Sequence, residues 1–254
     1  MVLFLLLGSL VATVSAIRGI WSPCGLSMLS SITPMTEAGR GYRFASTARW
    51  FLLGGIVGGL SIGTLAAAAA GLLSLVDLSD PVRWGIAATV AIVTAGIDLG
   101  AFGIELPIFK RQVNDAWLRR YRSWVYGAGF GWQIGFGVAT YIMTAGVFLT
   151  IGLAVLGASP AAALAIGLLF GTVRGSAVFI GRSATTPAAL GAVHERLDAL
   201  APASRFAALI VQQVAATAFA AAAWGPLAGL LVAAGSAIAT ASLARTQRRT
   251  VAGA

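Results

Sequence analysis

Long apolar runs separated by short polar gaps extend along the whole chain. A membrane-spanning helix needs about 20 apolar residues, and seven runs reach or approach that length. They lie near 2–33, 50–76, 83–104, 124–156, 161–181, 206–223 and 226–243. The first run is too long for one straight crossing of a bilayer about 30 Å thick. It is therefore expected to bend or re-enter near Gly19–Pro23, and the pattern as a whole predicts an all-α, polytopic membrane helix bundle.

Composition and charge agree with a membrane protein. Hydrophobic residues make up 58% of the 254 positions and charged residues 10%, whereas a soluble domain carries about 25% charged residues. The net charge of +9 does not indicate nucleic-acid binding, because the basic residues fall in the gaps between apolar runs. The lipid bilayer is the expected partner.

Lysine and arginine occupy every second gap. The basic positions lie in 40–49, 110–122, 182–205 and 245–249, while the gaps at 77–82, 157–160 and 224–225 contain none. Basic gaps remain on the cytoplasmic side of a membrane. Seven crossings with the N-terminus outside and the C-terminus in the cytoplasm satisfy this rule, in a bacterial inner membrane.

Two basic stretches, 109–124 and 187–201, repeat apolar residues at helical spacing and are expected to form helices on the membrane surface. His194, the only histidine, lies in the second stretch. A single histidine without neighbouring cysteine or acidic residues does not indicate a metal site. We expect no metal and no cofactor.

An internal sequence similarity suggests that the two halves of the chain are related. A shift of 108 positions places Gly19 on Gly127, Cys24 on Trp132 and Met35-Thr36 on Met143-Thr144. Three spans followed by three of opposite orientation form an inverted repeat with paired broken helices. The prediction is one transmembrane domain over 1–254, with repeats at 1–104 and 105–223 and an extra span and basic tail at 224–254. The first helix of each half is expected to be broken.

The segment Ser22-Pro23-Cys24 contains the only cysteine. Proline inside a helix removes a backbone donor and breaks the helix, so the thiol is expected at an irregular point within the membrane. A buried cysteine is most often an inert small hydrophobe. Alternatively, a thiolate at the start of a helical half, near Arg18, is the arrangement of a reactive cysteine.

Ionisable groups inside membrane spans face the bundle interior and mark functional sites. Asp98 and Arg174 lie at similar predicted depth, with Gln212 close to that level. We expect Asp98 to pair with Arg174, with Arg18 as the competing partner. Such a pair could fix helix register or take part in transport or proton movement.

The sequence gives less support for a functional role of several other polar residues. Thr140 and Tyr141 could line a polar path or satisfy carbonyls freed by a helix break. Glu37 and Glu105 lie at predicted cytoplasmic span ends, where a carboxylate is easily solvated, so no role is assigned to them.

Glycines recur every four residues in three spans. The series are Gly55, Gly59 and Gly63; Gly127, Gly131 and Gly135; and Gly167, Gly171 and Gly175. Small residues at this spacing let helix backbones approach closely, so most of these glycines are expected to serve packing.

The Ser-Pro-Cys turn in a broken first helix, the 3+3 arrangement and the external N-terminus resemble the CcdA/DsbD family. Ser22-Pro23-Cys24 match its first-helix motif and Pro34 resembles its downstream proline. The resemblance implies transfer of reducing equivalents across the inner membrane, as in cytochrome c maturation, with thioredoxin-like partners on either side. The second redox cysteine has no counterpart, since Trp132 stands in its place with Gln133 beside it.

Two classes of function follow from this resemblance. One is thiol-linked: a carrier acting through a single cysteine and partner thiols, or a factor that assists maturation of an exported protein, as in the similar MauF-type proteins. The other is transport of a small solute or ion on the same scaffold, as in the LysE-like superfamily, without redox activity. Whether the chain is an enzyme stays open.

Overall fold

The computed structural model describes residues 1–101, 103, 106 and 116–252, with side chains to residue 241 except at 119. Every regular element in this part is a helix, which confirms the all-α prediction. The helices are α1 Val2–Arg18, α2 Pro23–Ser31, α3 Pro34–Gly39, α4 Phe44–Leu73, α5 Asp80–Leu99, α6 Trp117–Arg120, α7 Ser123–Phe136, α8 Gly146–Leu156, α9 Pro160–Ser176, α10 Pro187–Trp224 and α11 Pro226–Ala252.

Five described helical segments are long and apolar enough to cross a membrane: Val2–Trp21, α4, α5, Pro160–Ser183 and α10. The 11-residue α8 and the segment Pro226–Ala241 are apolar but shorter. The chain is therefore a membrane protein. The count of seven spans and the orientation of the termini stay predictions.

Proline defines where many of these helices begin. Pro23, Pro34, Pro160 and Pro187 each occupy the first helical position. That position has no intrahelical N–H bond to lose, and the fixed backbone angle of proline suits it. The residue before each of these prolines is Ser or Thr, whose side chain accepts a bond from a backbone N–H of the first turn.

The first helix break lies where the sequence predicts it. After α1 the chain forms a 3₁₀ segment over Gly19–Trp21, and Ser22 is extended. Pro23 then begins α2 and does not bend a continuous helix. The break is thus an end and a restart, with the Ser22 hydroxyl accepting a bond from the Gly25 N–H at 3.1 Å.

The second break separates α7 from α8. Helix α7 ends at Phe136, and Gly137 has a φ of +81°, a left-handed conformation that favours glycine. The chain is helical again only from Gly146. A break in this half is confirmed, but the stretch that aligns with the first break, Gly127–Gln133, is wholly helical.

Helix α4 packs on α7 and α9 through glycine. A Cβ atom built on Gly59 would lie 2.6 Å from the Cα of Gly171, and one on Gly55 would lie 2.7 Å from the Cα of Gly175. Contacts this short mean that the two backbones touch directly. A Cβ on Gly135 of α7 would lie 2.7 Å from the Cα of Gly55. The prediction that these glycines serve close packing is confirmed for α4, α7 and α9, and we call the contact of α4 with α9 the glycine seam.

Helix α10 corrects one sequence expectation. The predicted surface helix at 187–201 and the predicted span at 206–223 form one helix of 38 residues, with Pro202 inside it. At 1.5 Å per residue it is about 57 Å long, longer than a bilayer is thick. His194 lies in its first half, where Nε2 is 3.2 Å from the Ser30 hydroxyl of α2.

The other predicted surface helix, 109–124, lies largely outside the described residues. Its described part, 116–124, contains the four residues of α6, an extended Tyr121 and the first two residues of α7.

The 108-residue shift aligns α4 with α9 and α5 with α10, and the two helices of each pair are in contact. The shift moves α1 onto 110–126, whereas α1 packs on α8, α9 and α10, and α4 also packs on α7. The boundaries of the two repeats stay a prediction.

Arg83 is a basic residue at the predicted outer end of a span. It lies 3.5 Å from Asp80, its Nε donates to the Leu156 carbonyl at 3.1 Å, and its Nη2 donates to the Gly157 carbonyl at 3.2 Å. Carbonyls at a helix C-terminus have no intrahelical partner. Arg83 therefore joins the start of α5 to the end of α8.

Candidate functional site

The two helix breaks meet inside the bundle. A small cavity of about 10 Å³ is lined by Ser15 from the last turn of α1, by Gly19 from the first break, by Gly137 and residues 141–144 from the second, and by Arg174. A volume of this size holds about one water molecule. The site is therefore a packed, polar junction of two irregular segments.

Asp98 is the carboxylate of this junction. Its Oδ1 accepts the Ala145 N–H at 2.7 Å, and its Oδ2 accepts the Gln212 amide at 2.7 Å and the Thr144 hydroxyl. Ala145 and Thr144 immediately precede α8, so the side chain from α5 caps the N-terminus of α8. A negative charge at a helix N-terminus is favourable, and Asp98 thereby links α5, the second break and α10.

Arg174 lies at the first break and not beside Asp98. Its side chain is 3% exposed, and Nη1 donates to the Ala16 carbonyl at 3.3 Å. A Cβ on Gly19 would lie 2.7 Å from Arg174 Nη2, so glycine is required there to admit the guanidinium. Arg174 Nε has no hydrogen-bond partner within the described residues.

The predicted Asp98–Arg174 pair is wrong. The carboxylate is satisfied by hydroxyl and N–H donors, and among the described residues the ion pairs are Arg40–Glu37 and Arg83–Asp80. Counting residues along each span places Asp98 and Arg174 at the same depth in the membrane. The count does not show which face of each helix points inward.

Cys24 is fully buried in the second position of α2. It packs among Ile20, Met28 and Phe130, and it interacts electrostatically with Arg174. The arrangement combines the burial of an inert cysteine with the cation and helix N-terminus of a reactive one. Burial decides accessibility, because thiol exchange requires the sulfur to reach a partner's disulfide.

Cys24 is expected to resist N-ethylmaleimide in native membranes and to react once the protein is denatured. A matched control is Gly191→Cys in a Cys24→Ala background, since Gly191 lies in α10 with open space around it. The control is expected to be labelled fully while Cys24 is not. Labelling of Cys24 at the control's rate would show that the thiol is accessible.

A second cavity, of about 350 Å³, adjoins Asp98. Its wall includes Arg18 from the end of α1, Thr144 from the second break and Arg205 from α10. Arg18 Nη1 donates to the Ser204 hydroxyl at 3.0 Å, which holds the guanidinium next to Arg205. Arg18, the competing partner in the prediction, therefore shares a cavity with Asp98 but forms no ion pair with it within the described residues.

Of the remaining predicted site residues, some lie at the helix junction and others lie away from it. Thr140 is buried, with no partner for its hydroxyl within the described residues, and Tyr141 lines the small cavity. Trp132 is 40% exposed and donates to the Ser61 hydroxyl at 3.2 Å, so it faces away from the junction. Gln133 is half-buried on α7 and does not line either cavity.

Sequence reasoning missed Glu37. It was expected to be solvated, yet its side chain is fully buried. Its carboxylate accepts the Tyr126 hydroxyl at 2.6 Å, the Arg40 guanidinium at 2.8 Å and the Thr47 hydroxyl. These partners join α3, α4 and α7 into one polar cluster. Glu105, its counterpart in the prediction, lies outside the described residues.

No group of three or more His, Cys, Asp or Glu side chains within the described residues is placed to hold a metal ion.

Similarity searches give one consistent group of relatives. The chain is 29% identical over 162 residues to "Methylamine utilization protein MauF" of Paracoccus versutus, 30% over 169 residues to that of Methylophilus methylotrophus, and 30% over 167 residues to that of Methylorubrum extorquens. Each alignment covers 63% of this chain. The chain is similar to MauF proteins.

The chain spans 56–59% of the length of these MauF relatives. No family model matches the chain, and no solved structure matches it. Membership of the CcdA/DsbD family stays a prediction from the Ser22-Pro23-Cys24 motif, the 3+3 arrangement and the external N-terminus.

Proposed function

We propose that this chain is a membrane accessory factor of methylamine utilisation that assists the maturation of an exported enzyme in the bacterial inner membrane. The similarity to MauF from several bacteria is the observation that carries this proposal. The apolar helices support it, because a factor that serves an exported protein acts at the membrane.

The environment of Cys24 favours a role that does not depend on electron transfer. A carrier that alternates between dithiol and disulfide needs two thiols, and this chain has one cysteine. That cysteine is fully buried in the packed core. A relay through mixed disulfides with thioredoxin-like partners would require the first break to open.

Transport of a small solute is the second candidate function. The 350 Å³ cavity beside Asp98 favours it, since transporter sites lie where broken helices meet near the middle of the bundle. The two candidates predict different results when the chain is lost: loss of a maturation factor lowers the amount of active exported enzyme, whereas loss of a transporter does not.

Deleting the gene from the organism that carries it tests the proposal. Growth on methylamine and the amount of active exported methylamine-oxidising enzyme are expected to be lost, while growth on ammonium and succinate is unchanged. Restoring the gene as Cys24→Ala is expected to recover both.

Normal growth of the deletion strain on methylamine would contradict the maturation role. A Cys24→Ala chain that reaches the membrane at the normal level yet fails to restore growth would favour electron transfer.

A further inference from the structure

Among the described residues, the wall of the cavity beside Asp98 has more positive charge than negative charge. Two guanidinium groups, of Arg18 and Arg205, line it together with the single carboxylate of Asp98. Neither arginine forms an ion pair with an acidic side chain within the described residues. Arg18 is half-buried and Arg205 is exposed, so both guanidinium groups are available to a ligand that enters the cavity.

Asp98 balances only part of this positive charge. It attracts Arg18 electrostatically, and its backbone carbonyl accepts a bond from Arg205 Nη2 at 3.5 Å. Its two oxygens already accept three hydrogen bonds, from Ala145, Thr144 and Gln212, and its charge lies at the N-terminus of α8. The donors and the helix dipole balance the carboxylate. The positive charge of Arg18 and Arg205 is left facing the cavity.

The two arginines are held close together by their surroundings. Arg18 donates to Ser204, the neighbour of Arg205 in α10, and its guanidinium lies 5.9 Å from the centre of the Trp21 ring. Arg18 and Arg205 repel each other electrostatically. Two like charges kept near one another beside an open volume are the usual arrangement for binding an anion.

We infer that this cavity binds an anionic oxygen group, a phosphate or a carboxylate, between Arg18 and Arg205. Planar guanidinium groups bind both groups through paired hydrogen bonds. The volume of about 350 Å³ admits a small solute or a lipid headgroup. The inference does not depend on the methylamine role, since it rests on the cavity wall alone.

Binding is tested with the full chain in nanodiscs of phosphatidylcholine. Inorganic phosphate and acetate are titrated separately by calorimetry, and nanodiscs containing phosphatidylglycerol are compared by thermal midpoint and by lipid retained after delipidation. The variants are Arg18→Gln and Arg205→Gln, with Arg196→Gln as the control because Arg196 is exposed on α10 outside the cavity.

Phosphate or acetate is expected to bind in phosphatidylcholine nanodiscs and to bind about tenfold more weakly to either cavity variant, with Arg196→Gln unchanged. Retention of phosphatidylglycerol that both cavity variants lose would instead identify a lipid headgroup as the source of the anion. Arg18→Lys keeps the charge but loses the paired hydrogen bonds, so it is expected to weaken binding less than Arg18→Gln does, which separates loss of charge from misfolding. The inference would be overturned if phosphate, acetate and phosphatidylglycerol all failed to bind. It would also be overturned if Arg196→Gln weakened binding as much as the cavity variants do.

Discussion

Replacing Gly171 with leucine is expected to leave no folded protein in the membrane. A Cβ atom at Gly171 would lie 2.7 Å from the Cα of Gly59, and Gly59 Cβ would lie 2.6 Å from the Cα of Gly171. Both neighbours are backbone atoms, which cannot rotate away. Even Gly171→Ala is expected to cost about 1–3 kcal/mol, the usual range for overpacking, and leucine would force α4 and α9 apart.

The measurement is the yield of monodisperse protein in mild detergent, together with its thermal midpoint. Gly191→Leu is the matched control, because it lies in a helix with nothing within 4 Å of the added Cβ. We expect normal yield for Gly191→Leu, reduced stability for Gly171→Ala and loss of the folded species for Gly171→Leu. A stable Gly171→Leu protein would mean that the glycine seam does not hold α4 and α9 together.

Replacing Asp98 with alanine is expected to be the most damaging change at the helix junction. It removes the acceptor for the Ala145 N–H, the Thr144 hydroxyl and the Gln212 amide at once. A buried donor left without an acceptor costs about 1–3 kcal/mol, so the total loss is roughly 2–5 kcal/mol even if some donors find new partners. The start of α8 is expected to fray first, since it loses its cap.

Asp98→Asn is expected to retain most of this stability. The asparagine carbonyl still accepts one bond, and a rotated Gln212 amide could then offer Oε1, which has no partner among the described residues, to the new NH₂ group. Asp80→Asn is the control, because Asp80 lies at the other end of α5 with its side chain 56% exposed. Unfolding in detergent is expected to rank the wild type first, Asn second and Ala last, with Asp80→Asn equal to the wild type. Equal stability of the Ala and Asn variants would contradict a hydrogen-bonding role.

The backbone architecture was largely predictable because its signals are local. Apolar run length gave the helices, and Pro23 gave the first break, since a proline restricts the residues next to it whatever surrounds them. The second break has no proline. It depends on Gly137 and on Asp98, a side chain 47 positions from Ala145, and no local pattern reveals such a partner.

The site was less predictable for the same reason. Asp98, Arg174 and Gln212 could be picked out as polar residues inside apolar runs, but their pairing depends on helix rotation. Glu37 looked solvated because its partner Tyr126 is 89 positions away. The sequence predicts a surface helix and a separate span here because charged residues separate the two apolar stretches, whereas α10 runs through them as one helix.

The burial of Cys24 makes the chain a nearly ready background for chemical labelling. Its single native thiol lies in the core and is not expected to compete for a reagent. Labelling of one added cysteine can therefore be measured without replacing Cys24. Cysteines placed at Gly39 and Gly191, both with open space around them, would carry probes at the end of α3 and near the start of α10. A membrane-impermeant reagent applied to intact cells would then report which side of the bilayer each helix end faces.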